Sequence, residues 1–350
     1  MTNYMEAGIK KLDENLGRKI KRKFDSLGKP LDGLGNFEEL FCKIGMIQGS
    51  DKVELSPAAV TVFCGDHGII ARGVSQSDEN VTYQVAKGLA EGTSTVCVMA
   101  KAVGADVIPV NVGMKLPVDF KGIENKLIRG GTRNFVKEPA MTAGEAMAAI
   151  SVGFEKAREL KEKGYKIILA GEMGIGNTTS SAAIISTLLR TDPERVCGRG
   201  AGLSDEGFKE KISVIKEARA IWNLNSKDVM TIFTTLGGYE IAALVGLFIG
   251  GAAFGIPVVS DGLVSGTAAF VAAVLRPEVE EYIIFSQDSR EPGAKRILLE
   301  FGAHPPISAE VSLGEGTGGV LLLSLLAPVK RYYDEGATFD DINVDQYERF

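Results

Sequence analysis

Histidine and closely spaced cysteines are scarce in this 350-residue sequence, and each shortage excludes a kind of site. There are two histidines, His67 and His304, so a zinc site with three histidine ligands is impossible. The four cysteines form no C-x-x-C pair, and three of them lie in apolar runs. This usage predicts reduced, buried thiols in a cytosolic protein.

Basic residues are outnumbered by acidic ones, which argues against a polyanionic partner. Lys and Arg total 39 against 45 Asp and Glu, a formal net charge of −6. A surface that binds nucleic acid needs the opposite sign, so we expect no nucleic-acid partner. Residues 1–17 are charged and helical in pattern, without the apolar core of a secretory signal, which favours a cytoplasmic location.

One uncharged stretch, residues 241–260, is long enough to cross a bilayer. Glycines and a proline interrupt it, and its flanks, Glu240 and Asp261, are acidic. A membrane helix has basic and aromatic flanks instead. The pattern favours a buried helix, a turn and a buried strand, and we expect no membrane partner.

Short, continuously apolar runs alternate with longer amphipathic segments along most of the chain. Continuous apolar runs are typical of strands that are buried on both faces, as in parallel sheets. The predicted strands are Val60–Cys64, Val107–Val112, Lys166–Ala170, Val229–Phe233, Pro257–Ser260 and Tyr282–Phe285. The predicted helices include 81–103, 142–163 and 204–222. This alternation predicts an α/β fold with a parallel sheet and right-handed crossovers.

The two ends of the chain do not follow this alternation. Residues 1–48 have apolar side chains at helical spacing, and 316–334 is another apolar helix. We expect both ends to pack together as a small, mostly helical domain, 1–49 plus 316–350. The large α/β domain then spans 50–315.

Ligands of open parallel sheets bind beyond the carboxyl ends of the strands, so the residues after each strand are the first candidates. Glycines and carboxylates recur there, at 65–68, 113–114, 171–180, 261–262 and 286–289. Glycine is abundant overall, with 42 residues, as in chains whose backbone approaches a ligand at several turns. The sequence therefore predicts a cleft for a small anionic molecule.

The strongest local signal is GEMGIGNTTS at 171–180. Three glycines leave backbone N–H groups uncovered, and Asn177, Thr178 and the two hydroxyl residues after them can cap the helix through 182–189. Such a helix N-terminus can hold a phosphate through amides, hydroxyls and the helix dipole. The G-K-[ST] ending of a Walker A loop is absent, and a well-capped helix without a ligand is the alternative interpretation.

A second signal is LGEGTGG at 313–319. Its glycines match G-x-G-x-x-G, but no second strand follows to complete a dinucleotide-binding βαβ unit. Glu315 lies between glycines in an apolar stretch, which favours a general base because desolvation raises the pKa of a carboxyl toward neutral pH. A solvent-exposed loop glutamate is the alternative.

Three further polar residues have ordinary explanations, and a fourth, Glu172, does not. His67 is more often a hydrogen-bonded loop residue than a catalyst, and His304 is interpreted as structural. Lys211 is by default a lysine on a helix surface. Glu172 lies inside the proposed phosphate loop, where its carboxylate would repel a bound anion unless it interacts with a cationic or protonated group.

Motifs in order along nearly the whole chain resemble those of the nicotinate-nucleotide–dimethylbenzimidazole phosphoribosyltransferases of cobamide nucleotide-loop assembly. The matching segments are Lys29-Pro30 with Leu34-Gly35, CGDHGI (64–69), GVS (73–75), VTYQ (81–84), GEMGIGNTT (171–179), GGYEIAA (237–243), IPVVSDG (256–262), REPG (290–293) and LGEGTG (313–318). GEMGIGNTT and LGEGTG are together highly specific. The resemblance implies a Rossmann-like parallel sheet flanked by helices, a small helical domain made from both chain ends, and a homodimer.

The same resemblance implies a reaction. Phosphoribose moves from nicotinate mononucleotide to 5,6-dimethylbenzimidazole or a related benzimidazole, giving α-ribazole 5′-phosphate and nicotinate. The positive pyridinium ring already activates the glycosidic bond, so neither a metal nor a cofactor is expected, and the partners are small molecules. An acceptor placed in line on the opposite face inverts the anomeric carbon.

The matching motifs also imply roles for individual residues. Glu315 is expected to accept the proton from the acceptor. The residues expected to bind phosphate and ribose are Gly174, Ile175, Gly176, Asn177, Thr178, Lys211, Gly314 and Gly316. The residues expected around the acceptor base or the nicotinate are Ser77, Gln84, Glu172, Met173, Asp261 and Leu313.

The chain departs from the family pattern at two motifs. It has KPLDGLG at 29–35 where many members have KPPGSLG, and Ser286-Gln287 where many have Ser-His. The identity of the acceptor therefore stays open, and phenol, p-cresol or a purine could replace a benzimidazole. Three more hypotheses are a heterodimer with a paralogue, an NAD-dependent oxidoreductase that uses 314–319, and a non-catalytic partner subunit.

Overall fold

The structure is a computed structural model that describes residues 4–349, apart from the side chain of Ser226. Its sheet comprises β1 (Ala58–Gly65), β2 (Ala105–Gly113), β3 (Glu124–Asn125), β4 (Ile167–Met173), β5 (Val258–Ser260) and β6 (Ile283–Phe285). All neighbours are parallel, in the order β3-β2-β1-β4-β5-β6. This is the strand order of a Rossmann sheet, in which the order reverses between β1 and β4. The predicted α/β fold with a Rossmann-like parallel sheet is confirmed.

Helices flank this sheet. They are α1 (Glu14–Ser26), α2 (Asn36–Gln48), α3 (Glu79–Glu91), α4 (Thr95–Lys101), α5 (Ala143–Glu162), α6 (Asn177–Leu188), α7 (Asp205–Ile221), α8 (Val229–Leu236), α9 (Tyr239–Phe254), α10 (Leu263–Leu275), α11 (Pro292–Glu300) and α12 (Thr317–Glu335). Helices α5 and α9 pack so closely that a Cβ on Gly153 would lie 1.6 Å from the Ala243 carbonyl oxygen. Only glycine permits that approach.

The strand predicted at Val229–Phe233 is wrong, because these residues begin α8. Asp228 caps this helix, with its Oδ1 accepting from the Thr231 amide at 3.0 Å. Ile232, Phe233 and Leu236 are buried, at helical spacing. A five-residue apolar run does not distinguish a strand from a buried helical turn, and here the capping aspartate decides for the helix.

Two further features differ from the prediction, a helix that is divided in two and an additional strand. The single helix expected over 81–103 is two helices, because Gly92 ends α3 at a left-handed φ of 74° and the Ser94 side chain caps α4. Strand β3 was not predicted. Its two residues are polar and too few to show a periodicity, and they pair with Val110 and Asn111 of β2.

The uncharged stretch 241–260 folds as predicted. It contains most of the buried helix α9, a left-handed turn at Gly255 with φ of 63°, and the buried strand β5. None of the helices within residues 4–349 combines the length and the hydropathy that a bilayer span requires.

The ends of the chain meet in an aromatic cluster. The ring centroid of Tyr333 in α12 lies 4.8 Å from those of both Phe24 in α1 and Phe41 in α2. All three rings are buried. This contact brings the terminal helices together, and the division into domains 50–315 and 1–49 plus 316–350 stays a prediction.

Candidate active site

A cavity of about 310 Å³ opens beyond the carboxyl ends of β4, β5 and β6, beside α3. Eleven of the residues predicted for the site line it: Ser77, Glu172, Met173, Gly174, Ile175, Asn177, Thr178, Asp261, Leu313, Gly314 and Glu315. Gln84 is exposed and, with Gly176, Lys211 and Gly316, is not part of the lining. A larger groove of about 830 Å³ between α2 and β6 contains none of the predicted residues.

The predicted phosphate loop joins β4 to α6 at one wall of this cavity. Gly176 turns the chain with a left-handed φ of 100°, and α6 begins at Asn177, five residues earlier than the predicted stretch. The amides of Gly176 and Thr178 donate to no other group within residues 4–349. The Ile175 amide, by contrast, donates to Thr82 Oγ1 at 3.2 Å. Two unused amides and the α6 dipole therefore point to an anion site.

Lys211 is completely buried behind this loop, so its interpretation as a surface lysine is wrong. Its Nζ donates to Thr178 Oγ1 at 2.9 Å and to the Gly198 carbonyl oxygen at 3.0 Å. Burial lowers the pKa of this lysine. The ammonium group does not line the cavity, but it contacts Thr178, which does.

Glu315 occupies a turn of three consecutive left-handed residues. The φ angles of Gly314, Glu315 and Gly316 are 88°, 59° and 89°. The carboxylate Oε2 accepts from the Val96 amide at 3.4 Å, and the side chain is half-buried at the cavity. Burial raises the pKa of Glu315, against the effect of its hydrogen bonds to Val96 and Ser94. A raised pKa and a cavity position are what a general base requires.

Asp261, which directly follows β5, fixes that turn. Its Oδ2 accepts from the Gly316 amide at 3.0 Å, and its Oδ1 accepts from the Gly318 amide at 2.7 Å and from Gln287 Nε2 at 3.1 Å. Burial raises the pKa of Asp261 to about 6, and these three hydrogen bonds oppose the rise. The buried carboxylate thus holds the start of α12 and, with it, the backbone of Glu315.

Glu172 faces the cavity from the end of β4. Its Oε2 accepts from Asn177 Nδ2. Burial, and after it the negative charges of Glu240 and Asp261, raise the pKa of Glu172 to about 8. The raised pKa favours the uncharged acid, which is the form of a glutamate that is compatible with an anion site.

Known proteins match the chain over almost all its length. The model of a family described as "Phosphoribosyltransferase" matches residues 9–344. The chain belongs to this phosphoribosyltransferase family. The enzyme is therefore a pentosyltransferase that transfers a phosphoribosyl group.

Relatives of this phosphoribosyltransferase include two curated proteins with the name nicotinate-nucleotide–dimethylbenzimidazole phosphoribosyltransferase. That of Acetivibrio thermocellus is 38% identical over 94% of both chains. That of Clostridium acetobutylicum is 37% identical over 97% of both chains. The crystal structure of CobT from Thermus thermophilus has 34% identity and a TM-score of 0.89, covering 95% of this chain and all of that one.

The topology of the phosphoribosyltransferase excludes a dinucleotide fingerprint at 314–319. These residues lead into α12, but the preceding strand, β6, ends at Phe285 and α11 lies between that strand and residues 314–319. A G-x-G-x-x-G sequence binds a pyrophosphate only inside a βαβ unit. The NAD-dependent alternative is thus wrong.

Some residues at the site of the phosphoribosyltransferase were not foreseen from its sequence. Val81 and Val85 form an apolar wall from α3, and their spacing of four residues on one helix face was the available signal. Glu291 also lines the cavity. His67 is hydrogen-bonded and buried, in agreement with its ordinary interpretation.

We expect Asp261→Asn to destabilise the enzyme and slow it. Asparagine keeps one accepting oxygen, but its NH2 group cannot accept a hydrogen bond, so at least one buried N–H donor loses its partner. The expected loss is about 2 kcal/mol in the free energy of unfolding, measured by urea titration, together with a lower kcat because Glu315 shifts. The exposed Asp345→Asn is the control. An Asp261→Asn enzyme as stable and active as that control would show that the carboxylate does not hold the turn.

Proposed function

We propose that the enzyme transfers phosphoribose from nicotinate mononucleotide to 5,6-dimethylbenzimidazole or a related benzimidazole. The products are α-ribazole 5′-phosphate and nicotinate. The names of the curated relatives support both substrates. The observation that carries the proposal is the placement of Glu315 and the phosphate loop on one cavity.

The donor phosphate binds at the N-terminus of α6, on the free amides of Gly176 and Thr178. The positive pyridinium ring is a good leaving group, because it departs as neutral nicotinate nitrogen with the electron pair of the broken glycosidic bond. The acceptor nitrogen forms the new bond to the anomeric carbon from the opposite face, which inverts that carbon. Glu315 accepts the proton that the acceptor loses.

Glu172 supports donor binding as an acid. With its pKa at about 8 it is protonated at neutral pH and can donate a hydrogen bond to an anionic group of the donor. Its apolar neighbours in the wall, Val81 and Val85, suit a flat aromatic acceptor. We also propose that the enzyme is a homodimer, which sedimentation velocity would test; a heterodimer with a paralogue is the other outcome.

A turnover assay with a panel of acceptors tests the proposed reaction. Nicotinate release is followed with nicotinate mononucleotide and 5,6-dimethylbenzimidazole, benzimidazole, adenine, phenol or p-cresol. We expect the highest kcat/KM with a benzimidazole. Preference for a phenol would change the proposed acceptor and keep Glu315 as the base. If none of the acceptors led to nicotinate release, the result would support a non-catalytic subunit.

The ionisation of Glu172 predicts a pH dependence of donor binding. As pH rises through about 8, the carboxylate forms and repels the anionic donor, so the KM for nicotinate mononucleotide should rise about tenfold per pH unit above that value. Glu172→Gln cannot ionise and keeps the hydrogen-bonding shape. Its donor KM should stay flat from pH 7 to 9.5; a KM that rises equally in both enzymes would assign the titration to another group.

A further inference from the structure

Behind the phosphate loop lies a pair of ionisable side chains that do not line the cavity, His67 and Glu240. The imidazole Nε2 of His67 lies 2.5 Å from Glu240 Oε1, and its Nδ1 lies 2.9 Å from Ser180 Oγ. The side chains of His67 and Glu240 are completely buried. None of these three residues contributes to the cavity lining.

The pair joins three elements that meet at the phosphate loop. His67 follows the end of β1, Ser180 lies in the first turns of α6, and Glu240 lies in the first turn of α9. The hydrogen bonds between these residues therefore fix the start of α6, where the donor phosphate binds in the proposed function, relative to the centre of the sheet. In addition, the dipole of α9 stabilises a negative charge on Glu240, because this residue lies in the first turn of that helix.

Glycines of the phosphate loop pack directly on this pair. A Cβ on Gly174 would lie 3.3 Å from Glu240 Oε1, and a Cβ on Gly176 would lie 2.9 Å from His67 Cβ. On the other side, a Cβ on Gly238 would lie 2.3 Å from His67 Cε1. The imidazole and the carboxylate thus fill the space against which the loop rests.

The pair also acts on the cavity through charge. Glu240 Oε2 is buried and has no hydrogen-bond partner among the described residues, so this carboxyl group depends on the contact of its Oε1 with His67 Nε2. The charge of Glu240 is one cause of the raised pKa of Glu172. The charged or titratable groups that face Glu172 from the packed elements are Cys64, Glu240, Asp261 and Glu315.

We propose that His67 and Glu240 are positioning residues for the phosphoribosyl transfer, which hold the 174–178 loop in place from behind the cavity. They touch no reacting atom and act through the loop backbone and Glu172. This inference rests on the proposed function in one respect, since its test measures the binding of nicotinate mononucleotide at the loop.

The test compares Glu240→Gln with wild type in two measurements, calorimetric binding of nicotinate mononucleotide and the pH profile of turnover. Glutamine keeps the shape and a hydrogen bond to His67 but removes the charge. The donor Kd should rise roughly tenfold or more, because small displacements of a binding loop are costly, while the acceptor KM stays unchanged. The pKa of Glu172 should fall, so the alkaline rise in donor KM should begin at a lower pH.

Glu159→Gln is the matched control, because Glu159 pairs with the buried Lys156 away from the cavity. It should change neither the donor Kd nor the alkaline midpoint. If Glu240→Gln does not fold, Ser180→Ala removes only the bond to Nδ1 and should raise the donor Kd severalfold. An unchanged Kd and an unchanged alkaline midpoint in a folded variant would overturn the proposal.

The two proposals fail separately. Wild-type enzyme that binds nicotinate mononucleotide without releasing nicotinate would refute the transfer reaction, and the Kd comparison would still decide whether the pair positions the loop. Wild-type enzyme that turns over normally alongside an unaffected Glu240→Gln would refute only the positioning role.

Discussion

Glu315→Gln should lower kcat by roughly 10²–10⁴-fold, the usual contribution of a general base, while nicotinate mononucleotide still binds. Glutamine matches the size of the carboxylate and can keep the hydrogen bond from the Val96 amide, but it cannot take a proton from the acceptor. Stopped assays of nicotinate release and calorimetry of donor binding measure the two effects independently.

Glu310→Gln is a matched control in the same segment. Glu310 is exposed and, like Glu315, has a left-handed backbone, with φ of 53°. A substitution there carries the same backbone cost without touching the cavity, and we expect wild-type kcat. Near-normal turnover in Glu315→Gln would remove Glu315 from the chemistry.

The general-base role has a pH signature as well. Because burial raises the pKa of Glu315, its basic form is lost as pH falls through that raised value, earlier than for an ordinary glutamate. In the wild-type enzyme kcat/KM should therefore fall as the pH is lowered. This fall should be absent from the residual activity of Glu315→Gln.

Lys211→Met should raise the donor KM about 10²-fold. Methionine keeps the buried aliphatic stem but removes the only ammonium group that contacts Thr178 within residues 4–349. The Thr178 hydroxyl and the Gly198 carbonyl then lose their donor, and the positive charge behind the phosphate site disappears. Each effect is worth about 1–3 kcal/mol, the range of charge-assisted hydrogen bonds.

The control for this variant lies on the same helix. Lys209 in α7 is exposed, so Lys209→Met removes one positive charge from the protein surface without disturbing the loop. Steady-state kinetics with varied donor should leave its KM at the wild-type value. Equal donor KM values for the two lysine variants would mean that Lys211 supports only the packing of α7.

The sequence was informative where a local pattern and a topological rule agreed. Parallel strands place their carboxyl ends together, so the segments 171–180, 261–262 and 286–289 were expected at one cleft, and all three contribute to the 310 Å³ cavity, whereas 65–68 and 113–114 do not line it. The segment 313–319, which follows no predicted strand, also contributes to the cavity. The local pattern misled at Val229–Phe233, where a short apolar run belongs to a helix whose cap precedes the run.

Other features depend on contacts between residues distant along the chain. Lys211 has a sequence context typical of a helix surface, yet it is completely buried and contacts Thr178 of α6 and the Gly198 carbonyl oxygen. His67 and Glu240 are 173 positions apart, and neither has a local motif that identifies the other as its partner. Asp261 could be placed at the rim, but its three hydrogen bonds to 287 and 316–318 arise only when β5 and α12 meet.

The measurement that most directly tests the account is proton NMR of one reaction mixture, enzyme with nicotinate mononucleotide and 5,6-dimethylbenzimidazole. It reports nicotinate release and the anomeric configuration of the new glycoside together. We predict stoichiometric nicotinate and an α-configured product, formed with inversion and formed roughly 10²–10⁴-fold more slowly with Glu315→Gln. A β-configured product, or an unchanged donor in the presence of every acceptor of the panel, would contradict it.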